Sequence, residues 1–418
     1  MKQAKGGTEG AGEARPGAAT SPPRALVLGG KLQGVDAAYL MKRAGYTVTL
    51  VDRNPACAAR ELADTFLCGD LLDEAFLQRV MADADFIIPA LEKLPVLEAI
   101  DRVAKAVAGA DGRRPRLMFS LGAYRVSSSK LRSDAMFHRI GIPAPRYYPD
   151  GDFPLIAKPS GRSGSEGVTV LETPGDLVAY RQAHDIMDCV VQEYVAGPSY
   201  SIEVIRRGGR ARTFAVTDLV MDEGYDCKRV VCPSRLAPEL QERFAQYAAD
   251  LAAAVDLEGI MDVECILSGG VLYVLEIDAR IPSQTLTAVY QETGVVAPAV
   301  YAAGAPGESL CQPSNWPERG VIYEHIEAKD GRLLFAGEHI MGGRGPLHAI
   351  HDFYGADEAL TTYEPGRSDW VATLILTAPT RAAAWEKQRQ VIARICADEH
   401  LAFGGGQDDL RDTMEDIS

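Results

Sequence analysis

Six charged residues and one loop of small residues carry most of the chemistry this sequence offers: Lys130, Lys158, Glu264, Glu276, Asp278 and Arg280, with the stretch Pro159-Ser-Gly-Arg-Ser-Gly-Ser-Glu-Gly167. Lys158 closes an apolar run and leads directly into that loop. A Gly/Ser-rich loop lets backbone N–H groups approach phosphate oxygens closely, and Ser160, Gly161, Ser163 and Gly164 are its candidate contacts. Lys130 stands 11 residues before the Gly141-Ile-Pro turn, and two ammonium groups beside such a loop offset the charge of a polyphosphate. Alone, the loop reads better as a surface hairpin. The two lysines and the acids that follow favour phosphate.

The acids fall in Met261-Asp-Val-Glu264 and Leu275-Glu276-Ile-Asp278-Ala-Arg280. Alternation along a strand puts Glu276 and Asp278 on one face, and a hairpin through Ser268-Gly269-Gly270 folds Glu264 back beside them. Three such carboxylates repel one another unless cations neutralise them or they face apart. An oxygen-only set suits a hard ion such as Mg2+ bridging phosphates. Arg280 shares the face of Asp278 if the strand continues, where it can clamp a phosphoryl oxygen. The plain alternative is a solvated sheet face. Between loop and acids, Val190-Val-Gln192-Glu193-Tyr194-Val195-Ala-Gly is a strand running into a linker. Its backbone can offer a carbonyl and an N–H to an adenine edge, with Val195 on the ring and Glu193 facing the exocyclic amine. In isolation it is an ordinary strand end.

These groups need a scaffold, and 418 residues supply two to four domains at about 100–200 residues each. The 47% hydrophobic and 24% charged content is that of an ordinary globular chain, and no apolar run approaches the roughly 18 residues of a membrane span. The formal charge of −15 repels nucleic acid and anionic lipid, so neither is an expected partner. Eight scattered cysteines without a C-x-x-C pair read as reduced thiols in a cytoplasmic protein.

The expected fold class combines α/β and α+β. Residues 1–23 read as a disordered tail, poor in groups that could bury surface. Residues 24–124 alternate strands (Ala25–Leu28, Thr47–Val51, Phe86–Ile88, Arg116–Phe119) with helical stretches, the pattern of a parallel Rossmann-like sheet. Residues 125–195 form a small α+β unit and 196–319 a larger one with strands Thr213–Met221, Ile260–Leu267 and Val271–Asp278. A C-terminal region spans 320–403, and the Gly-then-acid segment 404–418 reads as a flexible tail. Gly29-Gly30-Lys31, with Asp52 22 residues after Gly30, lacks the G-x-G-x-x-G spacing of a dinucleotide site. What remains there is a crevice at strand ends.

In this order the residues resemble the ATP-grasp superfamily of carboxylate–amine ligases, over roughly Arg24 to Thr285. Within it, several stretches are similar to the ligases of pyrrolysine biosynthesis: Gly29-Gly-Lys-Leu-Gln-Gly34, Tyr225-Asp-Cys227, Gly259-Ile-Met-Asp-Val-Glu264, Glu276-Ile-Asp-Ala-Arg280, Pro282-Ser-Gln-Thr285 and Ile322-Tyr-Glu-His325. The resemblance implies an ATP-grasp fold with an N-terminal Rossmann-like domain, a small lid bearing Lys158 and the loop, and a central body carrying metal ligands. It implies ATP and Mg2+ as cofactors, with L-lysine and 3-methyl-D-ornithine as substrates joined through an acyl phosphate. Lys158 and Arg280 would act on the reacting groups. Lys31, Leu32 and Gln33 would border the L-lysine pocket or a nucleotide, with Asp52 and Asp70 nearby. Asp52 serves equally as a cap before the Asn54-Pro55 turn. Glu92 and Glu338 are candidate acids for the L-lysine pocket, against the plainer reading of each as an exposed surface acid. Asp226 would take an ornithine ammonium, and Arg280 with Ser283, Gln284 and Thr285 its carboxylate. Many relatives place a ribose-binding glutamate where this chain reads Gly197-Pro198-Ser199.

Three rivals remain: an ATP-grasp ligase for another amino-acid pair, such as a dipeptide ligase; a non-catalytic nucleotide sensor; and a nicotinamide oxidoreductase, which the glycine spacing disfavours.

Overall fold

The computed structural model describes residues 21–109, 112, 114–161, 167–184, 186–304 and 317–414. Among them the strands form three sheets. The expected tail over residues 1–20, together with Ser163 and Gly164, lies outside the described residues.

The first sheet is built from β1 (Arg24–Leu28), α1 (Leu32–Arg43), β2 (Thr47–Asp52), β3 (Thr65–Cys68), α2 (Glu74–Ala82), β4 (Phe86–Pro89), α3 (Leu94–Ala106) and β5 (Arg116–Leu117). Its order is β3-β2-β1-β4-β5, all parallel. Leu26, Val27 and Leu28 are buried on both faces, as a strand between helical layers requires. The strand order reverses between β1 and β4, which opens a crevice at their C-terminal ends. Gly29 closes β1 there at φ +110°, and a Cβ on it would stand 2.4 Å from the Ala90 carbonyl oxygen, so the turn requires glycine.

The chain then forms α4 (Leu121–Ser127) and α5 (Lys130–Ile140), the latter stopped by Gly141 in the left-handed region, φ +76°. Next come β6 (Leu155–Pro159), β7 (Thr169–Leu171), α6 (Pro174–Ala183) and β8 (Cys189–Glu193), whose strands make a small antiparallel sheet in the order β7-β6-β8. A capping box between Thr173 and Asp176 starts α6.

The large sheet begins with β9 (Ser199–Arg207), β10 (Arg210–Thr213), β11 (Thr217–Met221) and β12 (Cys227–Cys232). It continues through α7 (Pro238–Ala254), β13 (Gly259–Ser268), β14 (Val271–Asp278), α8 (Thr285–Thr293) and α9 (Ala297–Ala303). After it follow β15 (Gly320–Lys329), β16 (Arg332–Phe335), α10 (His339–Gly342), β17 (His348–Phe353), β18 (Ala356–Thr361), β19 (Trp370–Ala378), α11 (Arg381–Asp398) and β20 (Ala402–Phe403). The twelve strands run β14-β13-β9-β11-β12-β15-β19-β18-β17, with β10, β16 and β20 attached at the side. β15 pairs antiparallel with β12, so the strands after residue 320 extend the sheet of the preceding unit rather than forming their own.

Two readings from sequence change here. The run Thr213–Met221, read as one strand, breaks at residues 214–216 between β10 and β11. Residues 404–414, expected to be loose, are docked. Asp412 accepts from Arg381 Nε and Nη2 at 2.7 and 2.8 Å, the Asp409 carbonyl accepts from Arg229 at 2.8 Å, and Met414 is buried. Buried guanidinium groups on other elements need anionic or carbonyl partners, and this acidic segment supplies them.

Candidate active site

β13 and β14 pair so that Glu264 lies opposite Glu276 and Asp262 opposite Asp278. Four acids thus crowd one end of a hairpin. Glu276 accepts from Lys130 Nζ at 2.5 Å, and Asp278 from Arg280 Nη2 at 2.7 Å, so two of them are internally neutralised. The other two show the cost of crowding. Burial, then Glu276, Asp278 and Glu338, push Glu264 up to about 8, and burial with Asp278 raises Asp262 well above the carboxylate range. Burial lifts Asp278 to about 6 although Arg280 opposes it. Asp262 Oδ1 is buried without a hydrogen-bond partner. A surplus of acid over base, made only of oxygen donors, fits a hard divalent cation. Among the described residues no three acids yet converge to ligating distance.

Strand β14 ends at Asp278, so Arg280 reaches its place through a turn in which its N–H donates to the Asp278 carbonyl at 2.8 Å. Its Nη2 also meets Glu92 Oε1 at 2.5 Å, Nη1 donates to the Ile281 carbonyl at 3.1 Å, and Nε is buried without a partner. Gln33 Nε2 donates to the same Glu92 oxygen at 2.9 Å. Three expected substrate residues from distant parts of the chain therefore meet at the mouth of the first sheet's crevice.

A cavity of about 130 Å3 lies beside this cluster, lined by Asp226, Glu264, Glu276, Asp278, Arg280, Ser283, Gln284, Thr285, Glu338 and Tyr225, among others. Asp226 is held by His339, through Nδ1 at 2.8 Å and the main-chain N–H at 3.1 Å. Gln284 has φ +69° and ψ −63°, and the Thr285 N–H donates to the Ser283 carbonyl at 2.8 Å. That is the rare γ-turn with positive φ, a conformation costing on the order of 1–3 kcal/mol for a residue other than glycine.

On the small sheet, Lys158 Nζ donates to the Gln192 side-chain oxygen at 3.2 Å, and the Gln192 amide nitrogen donates to Asp134 at 2.8 Å; the amide orientation is the one that satisfies both. Burial lowers Lys158, with Asp134 and Glu276 opposing, and lifts Asp134 to about 7. Ser160 ties the loop's root to α5: its carbonyl accepts from Lys130 N–H at 3.1 Å and its Oγ from Leu131 N–H at 3.2 Å. Gly161 follows at the edge of the described residues. In the linker, Glu193 is clasped by Arg146, Tyr194 donates its N–H to the Pro154 carbonyl, and Val195 is half-buried. The neighbouring Tyr194 phenol, then burial, pushes Tyr225 up.

The crevice residues separate. Asp52 accepts from Gly30 N–H and Asn54 N–H, both at 2.7 Å, and so caps the turn. Asp70 is exposed and accepts from Leu72 N–H at 3.0 Å. Lys31 is exposed at the start of α1, and Leu32 packs towards Gly342.

A model of the ATP-grasp domain matches residues 127–284, the span from α4 to the γ-turn. The chain is 36% identical over 320 residues to a 3-methyl-D-ornithine–L-lysine ligase from Methanosarcina barkeri, covering 75% of this chain and 83% of that protein. It is 34% identical over 368 residues to the ligase of the same name from Methanosarcina acetivorans, covering 87% and 95%. The chain belongs to this ATP-grasp ligase family. Among solved structures, an N5-carboxyaminoimidazole ribonucleotide synthetase in complex with ADP superposes with a TM-score of 0.66 at 16% identity, covering 91% of this chain and 98% of that one. A biotin carboxylase from Campylobacter jejuni gives a TM-score of 0.66 at 17% identity, covering 88% and 91%. At such identities these two speak for the fold.

The family's enzymes are ligases, and three residues of this member's site escaped the sequence reading. Asp134 sits one helical turn from Lys130, and Asp262 two strand positions from Glu264, so period counting alone would have found both. His339 carries no such signal. No described helix is long and apolar enough to cross a membrane.

Proposed function

We propose that this chain is a cytoplasmic ATP-dependent ligase that joins the carboxylate of 3-methyl-D-ornithine to the ε-amine of L-lysine, releasing ADP and phosphate. A substrate carboxylate oxygen attacks the γ-phosphorus of ATP, the bond to the ADP oxygen breaks, and an acyl phosphate results. The neutral ε-amine then attacks the acyl carbon, the carbon–oxygen bond to phosphate breaks, and the nitrogen loses a proton.

The observation that carries this reading is the position of Arg280. It bridges Asp278, on the acid hairpin, and Glu92, on the crevice, and keeps a buried Nε without a partner. A guanidinium so placed can steady an oxyanion between a phosphate side and an amino-acid side. Lys130 and Lys158 would neutralise phosphate oxygens. A divalent cation held by Glu264, Glu276 and Asp278 would add positive charge between the phosphates. Asp226, Glu338 and Glu92 would receive substrate ammonium groups, while Ser283, Gln284 and Thr285 with Arg280 hold the carboxylate. Lysine and ornithine analogues carry two amines each, and an acidic cavity suits them. Alignment and charge neutralisation supply the catalysis, and no side-chain nucleophile is required. Exclusion of water by the lid keeps the acyl phosphate from hydrolysis.

The test is ADP release with Mg-ATP, with L-lysine and 3-methyl-D-ornithine added singly and together, and mass spectrometry of the product. A product mass equal to the two amino acids less one water is expected. ADP release with other pairs but not this one would discard the substrates and keep the ligase.

A further inference from the structure

The γ-turn at Gln284 needs something to hold it, and a chain of hydrogen bonds from the far side of the large sheet reaches it. His325, on β15, is 2% exposed. Its Nε2 lies 3.0 Å from the Gln284 side-chain oxygen and its Nδ1 2.8 Å from Thr373 Oγ1 on the neighbouring strand β19. An amide oxygen can only accept, so Nε2 carries the proton; Nδ1 is then an acceptor, and the Thr373 hydroxyl must donate. The Gln284 amide nitrogen is thereby turned away from the imidazole, and Gln284, Ser283 and Glu338 line one cavity, where the two polar side chains favour the charged form of the carboxylate. Glu338 lines the cavity and keeps its Oε2 buried without a hydrogen-bond partner.

From this chain we infer that His325, fixed in its Nε2–H form by Thr373, is a positioning residue: it locks Gln284 in its γ-turn and so aims the unpartnered Glu338 oxygen at an ammonium group of the substrate. The inference rests on the amino-acid reading of the cavity given above. Each ring nitrogen has one partner, so an imidazole in the Nδ1–H form would set Nε2 and the Gln284 oxygen face to face as two acceptors. A neutral, buried imidazole suits this task, and burial pushes His325 down to about 3, with Asp226 the charge that opposes it.

Two arms test this. Thr373→Val removes the donor at nearly constant shape, and His325→Gln removes the imidazole. Each is expected to raise the KM for the ammonium-bearing substrate about tenfold while KM for ATP and the melting temperature stay put. Equal movement of both KM values with the melting temperature, or no movement at all, would overturn the inference. The second arm needs neither activity nor a variant: 15N NMR of the ring, assigned by its through-space contacts to Thr373 and Gln284, should show the Nε2–H tautomer unchanged from pH 5 to 9. A ring that titrates in that range, or an Nδ1–H tautomer, overturns it even if both variants fail to fold. Absence of ligase activity in the unaltered protein would instead defeat the substrate assignment and leave the NMR result standing.

Discussion

Glu92 and Arg280 lie 188 positions apart in the chain and meet at 2.5 Å. The contact joins the end of β4 in the parallel sheet to the turn after β14 in the large one, so neither unit holds a finished site. Arg280 itself is 8% exposed and Glu92 is also bonded to Gln33, which makes the pair a partly buried, hydrogen-bonded ion pair rather than a surface contact.

Glu92→Gln keeps the shape and removes the charge. Because charge-assisted hydrogen bonds are worth about 1.5–3 kcal/mol, the KM for one amino-acid substrate should rise by about tenfold or more while KM for ATP changes little. Steady-state kinetics with each substrate varied in turn decides it; a change confined to ATP would place Glu92 on the nucleotide side.

Glu276→Ala removes the partner of Lys130 and one expected metal ligand. Turnover should fall by about 10²–10³-fold or more, with circular dichroism unchanged. Near-normal turnover would end its assignment to the metal site.

The apo protein should lose stability as pH rises through neutrality. Glu264 is raised from 4.5 to about 8 in the folded state. Between those values the folded protein holds a proton that the unfolded chain has released, so the stability present below pH 4.5 drains away as pH climbs towards 8. The melting temperature without divalent ions should fall over pH 5–8, and Glu264→Gln should flatten that slope. Mg2+ with nucleotide should stabilise more at pH 8 than at pH 6. A slope unchanged in Glu264→Gln would contradict this account.

Arg229 and Glu324 form an ion pair at 2.7 Å with both side chains almost wholly buried. The guanidinium also stands 4.8 Å from the Trp385 ring and donates to the Asp409 carbonyl. Arg229→Met should cost about 3–5 kcal/mol by leaving the Glu324 charge unpaired, and adding Glu324→Leu should recover much of it. Denaturant midpoints of the three proteins check the pattern; equal losses in the single and double variants would refute it.

The sequence showed what local pattern carries. β1 and β4 were visible because buried parallel strands are continuous apolar runs, and Glu264 and Glu276 because a Gly-Gly turn and a period of two place them opposite. The lysines and the loop stood out by composition. What stayed hidden depends on contacts between distant residues. Gln284 gives no local sign of a strained turn, since the groups that hold it are His325 and Thr373, 41 and 89 positions later. Asp52 was open between capping and binding, and only the two N–H groups it accepts from give it the cap. The acidic 404–414 segment looked loose because nothing in it announces Arg229 and Arg381 as partners.

That last arrangement bears on how the chain comes to be made. Arg229 waits for a carbonyl synthesised 180 residues later, and Arg381 for the carboxylate of Asp412. The parallel sheet, complete by residue 117, can settle while translation continues. The sheet that carries the acid hairpin cannot. Its buried Arg229 and Arg381 have only Glu324 and Asp218 as acid partners until the docked segment emerges, so a chain cut short before Asp409 would keep those two ion pairs and leave the remaining guanidinium N–H groups without acceptors.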